Sequence, residues 1–365
     1  MFLNFYKGKK VLVTGHTGFK GSWLCNWLIS LGADVYGVSN EIPTNPSLFE
    51  ITKLENKISH YICDVTDSES FKTLLQNLEP DIIFHLAAQA IVSTSYENPL
   101  ETISTNSYGI ANVCDYLKDC NHSVVCVLIT SDKCYENVEW EYGYREDDIL
   151  GGRDIYSASK ACAEIIFSSY FSSFLKEKEN VKVSSARAGN VIGGGDWSKD
   201  RIVVDMIQSW SKGESVKIRS PEATRPWQHV LEPLSGYLHL GASLESNKSL
   251  NGQSFNFGPK SEQNRTVVNL SENLFSRLNN VFTSKTAYEI VDNKPFHEAG
   301  LLKLCCDKAL MHLSWEANLN YDQCVDFIGE WYKEYFNEED IEKVTLFQIQ
   351  KYCQLASEKN LIWTL

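Results

Sequence analysis

The chain has 365 residues, 43% of them hydrophobic and 22% charged, which is enough apolar material for two lobes or one large α/β unit. Its net charge of −13 argues against non-specific binding to nucleic acid. The eleven cysteines show no metal-ligand spacing, so we expect reduced thiols, a cytoplasmic location and no metal site. No apolar run reaches membrane-spanning length, and a membrane is therefore not an expected partner.

A glycine-rich turn follows the first predicted strand. Residues 9–14 (KKVLVT) predict a strand and residues 22–31 a helix, with GHTGFKG between them. Strand, glycine turn and helix in this order predict a dinucleotide-binding site, in which the helix N-terminus faces the phosphates. A glycine turn without a ligand is the less favoured alternative. The expected cofactor contacts here are Gly15, Thr17, Gly18, Phe19 and Gly21.

Further short apolar runs alternate with helical segments. They predict strands at residues 34–38, 58–63, 81–86, 123–129 and 183–187. This alternation predicts an α/β fold with a doubly wound parallel sheet of the Rossmann type, whose ligands bind outside the carboxyl ends of the strands. No arginine or lysine follows the second strand to receive a 2′-phosphate, which favours NAD over NADP.

The third and fourth predicted strands end in residues that suit ligand contact. Asp64 could accept a hydrogen bond from the adenine amino group or cap the next helix, although Asp67 suits that cap at least as well. Small residues after the fourth strand would let a cofactor lie against the backbone. We assign Leu86, Ala87 and Ala88 to the cofactor, and Gln89 and Asn106 to the substrate side of the site.

The fifth predicted strand runs directly into TSDKCY at residues 130–135. Ser131 can hydrogen-bond an oxygen that is being oxidised, and Asp132 can act as a general acid if its surroundings raise its pKa. Lys133 can be a base if desolvation lowers its pKa, or a counter-charge for Asp132. A solvated turn is the alternative interpretation, but the position at a strand's carboxyl end favours chemistry.

Tyr156 and Lys160 stand four residues apart at the start of a segment, residues 161–175, that predicts a helix. This spacing places both side chains on one helical face. A nearby ammonium group would lower the phenol pKa from its usual value of about 10 and so create a base near neutral pH. Such pairs are common by chance, but the glycine turn and TSDKCY fall where a nicotinamide enzyme needs them.

The second half of the chain predicts a smaller mixed α/β lobe that binds the substrate. A guanidinium group matches phosphate oxygens, so its arginines are the expected diphosphate contacts. The assigned substrate residues are Asn190, Arg201, Arg219, Arg225 and His229. Arg219 could instead be a surface charge, and His229 suits a hydrogen-bonding core position equally well.

These assignments give a predicted domain organisation. The dinucleotide-binding domain comprises residues 1–190 with a returning segment at about 230–258. The smaller lobe comprises residues 191–229 and 259–340. Residues 341–365 form a tail without assigned function.

The stretches GHTGFKG, LAAQA, TSDKCY and YSASK, in this order, resemble the extended short-chain dehydrogenase/reductase family that acts on nucleotide sugars. The resemblance covers most of residues 8–330. Asp132-Lys133 is similar to the pattern of CDP-glucose 4,6-dehydratases, as are AGNVIGGGDW and RPWQHVLEPLSGYL. The resemblance implies NAD, a nucleotide-sugar substrate, a role in deoxysugar and O-antigen biosynthesis, and a homodimer. Helices around residues 103–117 and 161–175 would form the dimer surface, with ordinary core burial as the alternative.

The resemblance also implies a mechanism. Tyr156 removes the 4-hydroxyl proton while Ser131 polarises that oxygen, and Lys160 holds the cofactor ribose. Hydride passes from C4 to NAD and finally returns to C6. In between, Lys133 or a neighbour takes the C5 proton, and Asp132 protonates the departing 6-hydroxyl. The alternatives are an epimerase or reductase, which loses no water, and a non-catalytic binding module.

Overall fold

The computed structural model describes residues 1–291 and 301–365. Its strands are β1 (Lys10–Thr14), β2 (Asp34–Ser39), β3 (Ser59–Ile62), β4 (Ile82–His85), β5 (Val124–Ile129), β6 (Val181–Arg187), β7 (Val191–Ile192), β8 (Val216–Ile218), β9 (Thr224–Pro226), β10 (Gln228–His229), β11 (Ser254–Asn256), β12 (Asn264–Thr266) and β13 (Tyr288–Ile290).

The helices connect these strands and form the C-terminal region. They are α1 (Phe19–Ser30), α2 (Leu48–Ile51), α3 (Ser68–Leu78), α4 (Val92–Glu97), α5 (Pro99–Ile103), α6 (Gly109–Asp119), α7 (Ile155–Tyr170), α8 (Ile202–Ser211), α9 (Leu231–Ser246), α10 (Val267–Leu278), α11 (Asp307–Leu313), α12 (Tyr321–Phe336) and α13 (Ile341–Glu358). Single π-helical turns, Ser104–Tyr108 and Phe171–Leu175, join α5 to α6 and extend α7.

The central sheet is parallel, with its seven strands in the order β11-β6-β5-β4-β1-β2-β3. This order confirms the predicted doubly wound Rossmann sheet. Its β5 (VVCVLI) is buried along its whole length, as expected for a parallel strand covered on both faces. The chain reverses its direction of travel across the sheet at β1 and β4, where a ligand crevice is expected.

The side chains of β1 point alternately to the two faces of the sheet, and each face has its own layer of the core. Val11 and Val13 face a cluster that contains residues of α1, α9, α12 and α13, whereas Leu12 faces a cluster with residues of α3 and α6. Successive side chains of a strand point to opposite faces of the sheet, so helices on both faces can bury it. The sheet and the helices on both of its faces therefore form a rigid support for the loops at its carboxyl edge.

Outside the sheet, three short strand pairs support the second half of the chain: β7 with β10 and β8 with β13, both parallel, and β9 with β12, antiparallel. Helix α8 follows β7 in this region. Residues 292–300 of the predicted smaller lobe lie outside the described residues.

Two elements differ from expectation. Helix α7 begins at Ile155, several residues before the predicted start, because the Asp154 side chain caps it by accepting from the Ser157 N–H at 2.9 Å. The segment considered a tail forms α13, which packs on α1 and α12 and buries Ile349 and Tyr352. The C-terminal segment is thus part of the core.

Candidate active site

The glycine turn presses against the loop that follows β4. Gly15 has a φ of 71°, and a Cβ there would lie 2.8 Å from the Ala87 nitrogen. A Cβ on Gly21 would lie 2.2 Å from the Gly15 carbonyl oxygen. Gly18 is the N-cap of α1 and supplies no side-chain cap, so the first-turn N–H groups remain available to an anion. The turn therefore fits the pyrophosphate of a dinucleotide.

Side-chain hydrogen bonds of His16 and Thr17 connect the glycine turn to the end of β2, to the segment after it and to β3. The Thr17 hydroxyl donates to the Glu41 carbonyl oxygen at 2.7 Å. His16, which sequence reasoning missed, contacts the Ser39 hydroxyl at 3.0 Å and the His60 ring at 2.7 Å. Burial lowers the pKa of His16 to about 4, so its ring is neutral near pH 7.

Asp64 lies at the carboxyl end of β3. Its carboxylate accepts hydrogen bonds from the backbone N–H and the hydroxyl of Thr66, both at 2.8 Å. Asp67 caps α3 by accepting from the Ser70 N–H at 3.1 Å. The helix-cap alternative considered for Asp64 thus belongs to Asp67.

A cavity of about 1510 Å³ runs along the carboxyl edge of the sheet. Pockets for one drug-sized ligand are typically about 300–1,000 Å³, so this one has room for a dinucleotide and a second ligand. The predicted cofactor residues in its wall are Gly15, Thr17, Gly18, Phe19, Gly21, Asp64, Leu86, Ala87, Ala88, Tyr156 and Lys160. The other predicted residues there are Gln89, Ser131, Asp132, Lys133, Asn190, Arg201, Arg219 and Arg225.

Two predicted substrate residues lie behind this wall. Asn106 accepts from the Gln89 N–H at 2.9 Å and donates to the Ser159 hydroxyl at 2.9 Å, so it ties the loop after β4 to α7. This agrees with a steadying role but places Asn106 outside the cavity lining. His229 is fully buried, with its ring edge-on to Trp23 and Phe327. Aromatic side chains from α1 and α12 enclose it, so the structure favours the core position that the sequence left open and places His229 outside the cavity lining.

Helix α7 brings Tyr156 and Lys160 to the cavity, and both side chains are buried. Burial raises the pKa of Tyr156, although a hydrogen bond with Ser131 and the charge of Arg201 act in the opposite direction. Burial lowers the pKa of Lys160 to about 8, while the Glu164 carboxylate opposes this shift. The expected lowering of the Tyr156 pKa is therefore not found, because desolvation of the phenolate outweighs the nearby positive charges.

The turn after β5 is a single 3₁₀ turn, Asp132–Cys134. The Ser131 hydroxyl donates to the Asp132 carboxylate at 3.0 Å and accepts from the Lys133 N–H at 3.3 Å. Asp132 is only 4% exposed, whereas Lys133 is half-buried. A Cβ on Gly189 would lie 1.9 Å from the Asp132 carboxylate, so this glycine makes room for it.

A buried ion pair between β6 and α7 supports the turn Asp132–Cys134. Arg187 of β6 contacts the Glu164 carboxylate of α7 at 2.8 Å, and both side chains are at most 3% exposed. Glu164 also accepts from the Thr130 hydroxyl, and Arg187 donates to the Tyr135 hydroxyl at 2.7 Å. These contacts connect β5, β6 and α7, so they fix Ser131 relative to Tyr156.

Cationic side chains from distant parts of the sequence meet in the cavity. Arg201 donates to the Ala90 carbonyl oxygen at 3.2 Å. The charge of Arg219 acts on Asp205, whose pKa burial raises to about 6. Lys20, which sequence reasoning also missed, lines the same cavity within the glycine motif. Its position between the second and third glycines was the available clue.

The described residues hold no cluster of three or more His, Cys, Asp or Glu side chains suited to a metal ion. In the same part of the chain, no helix is both long enough and apolar enough to cross a lipid bilayer.

Comparisons with known proteins place this site in a family. A family model described as GDP-mannose 4,6 dehydratase matches residues 12–327. CDP-glucose 4,6-dehydratase of Salmonella typhimurium is 42% identical over 358 residues, which cover 97% of this chain and 99% of that protein.

Solved structures share the fold. A dTDP-glucose 4,6-dehydratase from Bacillus anthracis, in complex with NAD, superimposes with a TM-score of 0.75 at 18% identity and covers 92% of this chain and all of its own (100%). A UDP-glucuronic acid 4-epimerase from Bacillus cereus, with UDP-glucuronic acid and NAD, gives a TM-score of 0.75 at 19% identity over 90% of this chain and 99% of its own. The chain therefore belongs to the GDP-mannose 4,6 dehydratase family of extended short-chain dehydrogenases/reductases.

Proposed function

We propose that the protein is an NAD-dependent nucleotide-sugar 4,6-dehydratase that converts CDP-D-glucose to CDP-4-keto-6-deoxy-D-glucose and water. One observation carries this proposal: the buried carboxyl of Asp132 adjoins Ser131 in the cavity that also holds Tyr156 and Lys160. Oxidation and reduction alone need the Ser131, Tyr156 and Lys160 side chains, whereas loss of water also needs an acid for the leaving hydroxyl. The relative from Salmonella supports CDP as the nucleotide.

The side chains of this site have distinct proposed roles. Tyr156 accepts the proton of the sugar 4-hydroxyl, to which Ser131 donates a hydrogen bond. NAD, when bound, supplies the acceptor for the C4 hydride and its later donor to C6. Lys133 accepts the C5 proton, which a 4-keto group acidifies, and returns it to C5 when hydride reaches C6. Asp132 donates its proton to the departing 6-hydroxyl, which leaves as water, and the proton taken up by Tyr156 restores the proton balance of the site.

Tyr156 needs additional positive charge to act as a base. Burial holds its pKa above the ordinary value, although the guanidinium of Arg201 opposes this. The positive charge of an oxidised nicotinamide would lower the phenol pKa further. We therefore propose that Tyr156 loses its proton only in the loaded enzyme, with Lys160 holding the cofactor ribose.

The remaining cavity residues divide between two ligands. We propose that the glycine turn, Asp64 and residues 86–88 bind NAD, while Gln89, Asn190, Arg201, Arg219 and Arg225 face the nucleotide sugar. In this arrangement the dinucleotide-binding domain is 1–190 with 230–258, and 191–229 with 259–340 form the smaller lobe.

We also propose a homodimer that works in the cytoplasm and supplies deoxysugar biosynthesis, including that of O-antigen. All eleven cysteines are free thiols, which suits a reducing compartment. Exposed apolar side chains on α5, on the π-helical turn before α6 and on α7 support the dimer: Leu100, Ile103, Tyr108 and Ile165.

A panel of sugar nucleotides tests the reaction and the substrate together. Purified protein is incubated with CDP-, dTDP-, UDP- and GDP-hexoses, with and without added NAD, and the mass of the product and the alkali-induced absorbance of a 4-keto sugar are followed. We expect loss of one water from CDP-glucose alone. Water loss from another nucleotide would refute the CDP assignment, and an inverted sugar of unchanged mass would replace the dehydratase with an epimerase.

A further inference from the structure

Lys20 occupies an unusual position for a charged side chain. It lies in the first turn of α1, between Gly18 and Gly21, and its side chain lines the large cavity. Because the Gly18 cap has no side chain, Lys20 stands beside the uncapped N–H groups of this turn. The helix N-terminus and the ammonium group therefore present positive charge to the same space.

A second cation lines the same cavity. Arg201 precedes α8 and lines the cavity, and its charge acts directly on Lys20. The buried Nε of Arg201 has no hydrogen-bond partner within residues 1–291 and 301–365. Over the same ranges, Lys20 makes no direct hydrogen bond or salt bridge. The half-buried ammonium group of Lys20 and the buried Nε of Arg201 thus lack acceptors in a cavity that both side chains line.

The other charges around Lys20 do not neutralise this arrangement. Lys160 of α7 adds a third cation, while the carboxylates of Asp132 and Asp196 act in the opposite direction. Burial and the two neighbouring cations lower the pKa of Lys20 to about 7. Near neutral pH a fraction of the Lys20 side chains is therefore neutral, and an incoming anion would favour the charged form.

We propose that Lys20, together with Arg201, binds a diphosphate and that Lys20 takes up a proton when this ligand binds. A diphosphate carries the spread of oxygens that an ammonium group, a guanidinium group and free N–H groups can share. Both expected ligands carry one: the cofactor has a pyrophosphate, and the nucleotide sugar has a diphosphate. The inference rests on the ligand sites proposed above but not on the sugar chemistry.

Isothermal titration calorimetry of the full chain tests this inference. NAD and CDP are titrated separately at about pH 8, in buffers that differ in protonation enthalpy, so that the number of protons taken up can be obtained. Above its pKa Lys20 is mainly neutral, so we expect uptake of up to about one proton with the ligand that it contacts, and less uptake at about pH 6. Uptake with NAD assigns Lys20 to the cofactor, and uptake with CDP assigns it to the substrate.

Three variants make the measurement specific. Lys20→Gln should lose the proton uptake and bind that ligand roughly 10-fold or more weakly. Lys20→Arg should retain most of the affinity without proton uptake, because a guanidinium stays charged. Lys285→Gln, at an exposed position elsewhere, should behave like wild type.

The proposal is overturned if Lys20→Gln matches wild type in affinity and proton uptake for both ligands. It is also overturned if Lys20→Arg takes up as many protons as wild type, since another group would then be titrating. Neither readout involves turnover, so a failure of CDP-glucose dehydration leaves this test intact.

Discussion

At the scale of single residues, Asp132 and Tyr156 act at different stages of the proposed reaction. Asp132→Asn keeps the size of the side chain but cannot donate a carboxyl proton. We expect its dehydration rate to fall by about 10²-fold or more, with C4 oxidation preserved. Reduced nicotinamide should therefore accumulate after CDP-glucose is added, which its absorbance records.

Tyr156→Phe is the matched control, because it should block C4 oxidation as well as the loss of water. It removes the proposed base, so neither reduced nicotinamide nor loss of water should be detected at the wild-type rate. Dehydration by Asp132→Asn at the wild-type rate would contradict the role of Asp132 as the acid.

Residues within contiguous motifs could be predicted, whereas roles set by distant neighbours could not. The order of Ser131, Asp132 and Tyr156 along the chain was enough to place them near the ends of parallel strands. For His229 the sequence left two interpretations open, because its burial depends on Trp23 and Phe327. The raised pKa of Tyr156 likewise follows from burial, which local spacing does not report.

At the scale of elements, α13 shows why the role of a segment can escape prediction. The sequence predicts a tail without assigned function at residues 341–365, because an amphipathic sequence gives no information on the face of the fold that receives it. In the structure, the Tyr352 hydroxyl donates to the Glu232 carboxylate of α9 at 3.0 Å. Glu232 also accepts from the backbone N–H of Asn318 at 2.8 Å, so one buried carboxyl fastens α9, α13 and the segment before α12.

The contact between Tyr352 and Glu232 should stabilise the protein in a pH-dependent way. Burial raises the pKa of Glu232 to about 7, with the hydrogen bonds opposing this shift. In the unfolded chain a glutamate titrates near 4.3, so the contribution of Glu232 to stability falls as pH rises from about 4.3 to about 7. As pH rises through about 7, the carboxyl of the folded protein becomes charged and accepts a stronger hydrogen bond from Tyr352.

We therefore expect Tyr352→Phe to lower the free energy of unfolding by about 2 kcal/mol at about pH 8 and by about 1 kcal/mol at about pH 5.5. Urea unfolding at both pH values measures the two differences. Tyr237→Phe is the matched control, since the buried Tyr237 hydroxyl has no hydrogen-bond partner among the described residues. That control should cost little at either pH, and an equal cost of Tyr352→Phe at both would refute the charged contact.

At the scale of the whole molecule, the central sheet follows from the order of elements along the chain. Six predicted strands, β1 to β6, are found within two residues of their expected bounds. Short apolar runs separated by helices leave few topologies, because parallel crossovers are right-handed and need a helix. The short strand pairs, such as β9 with β12, have too few residues for a comparable pattern. Their pairing depends on contacts between distant segments.

An exposed apolar surface on α5 and α7 suits contact between two copies of the chain. Helices α5 and α6 pack on α7, and this unit exposes Leu100 by 80% and Ile165 by 52%. A stable interface buries about 800 Å² on each partner, and paired helices from two copies could supply that area by covering these side chains. We expect the wild-type protein to be a dimer at micromolar concentration, as measured by light scattering coupled to size-exclusion chromatography.

Charges placed on this surface should separate the subunits, because each would be buried without a partner in the dimer. We expect the double variant Leu100→Asp with Ile165→Asp to be monomeric and to keep the wild-type circular dichroism spectrum. Phe347→Asp is the matched control, since Phe347 is 59% exposed on α13, and it should remain dimeric. A double variant that stays dimeric while Phe347→Asp dissociates would move the interface to the C-terminal helix, and a monomeric wild type would refute the proposed dimer.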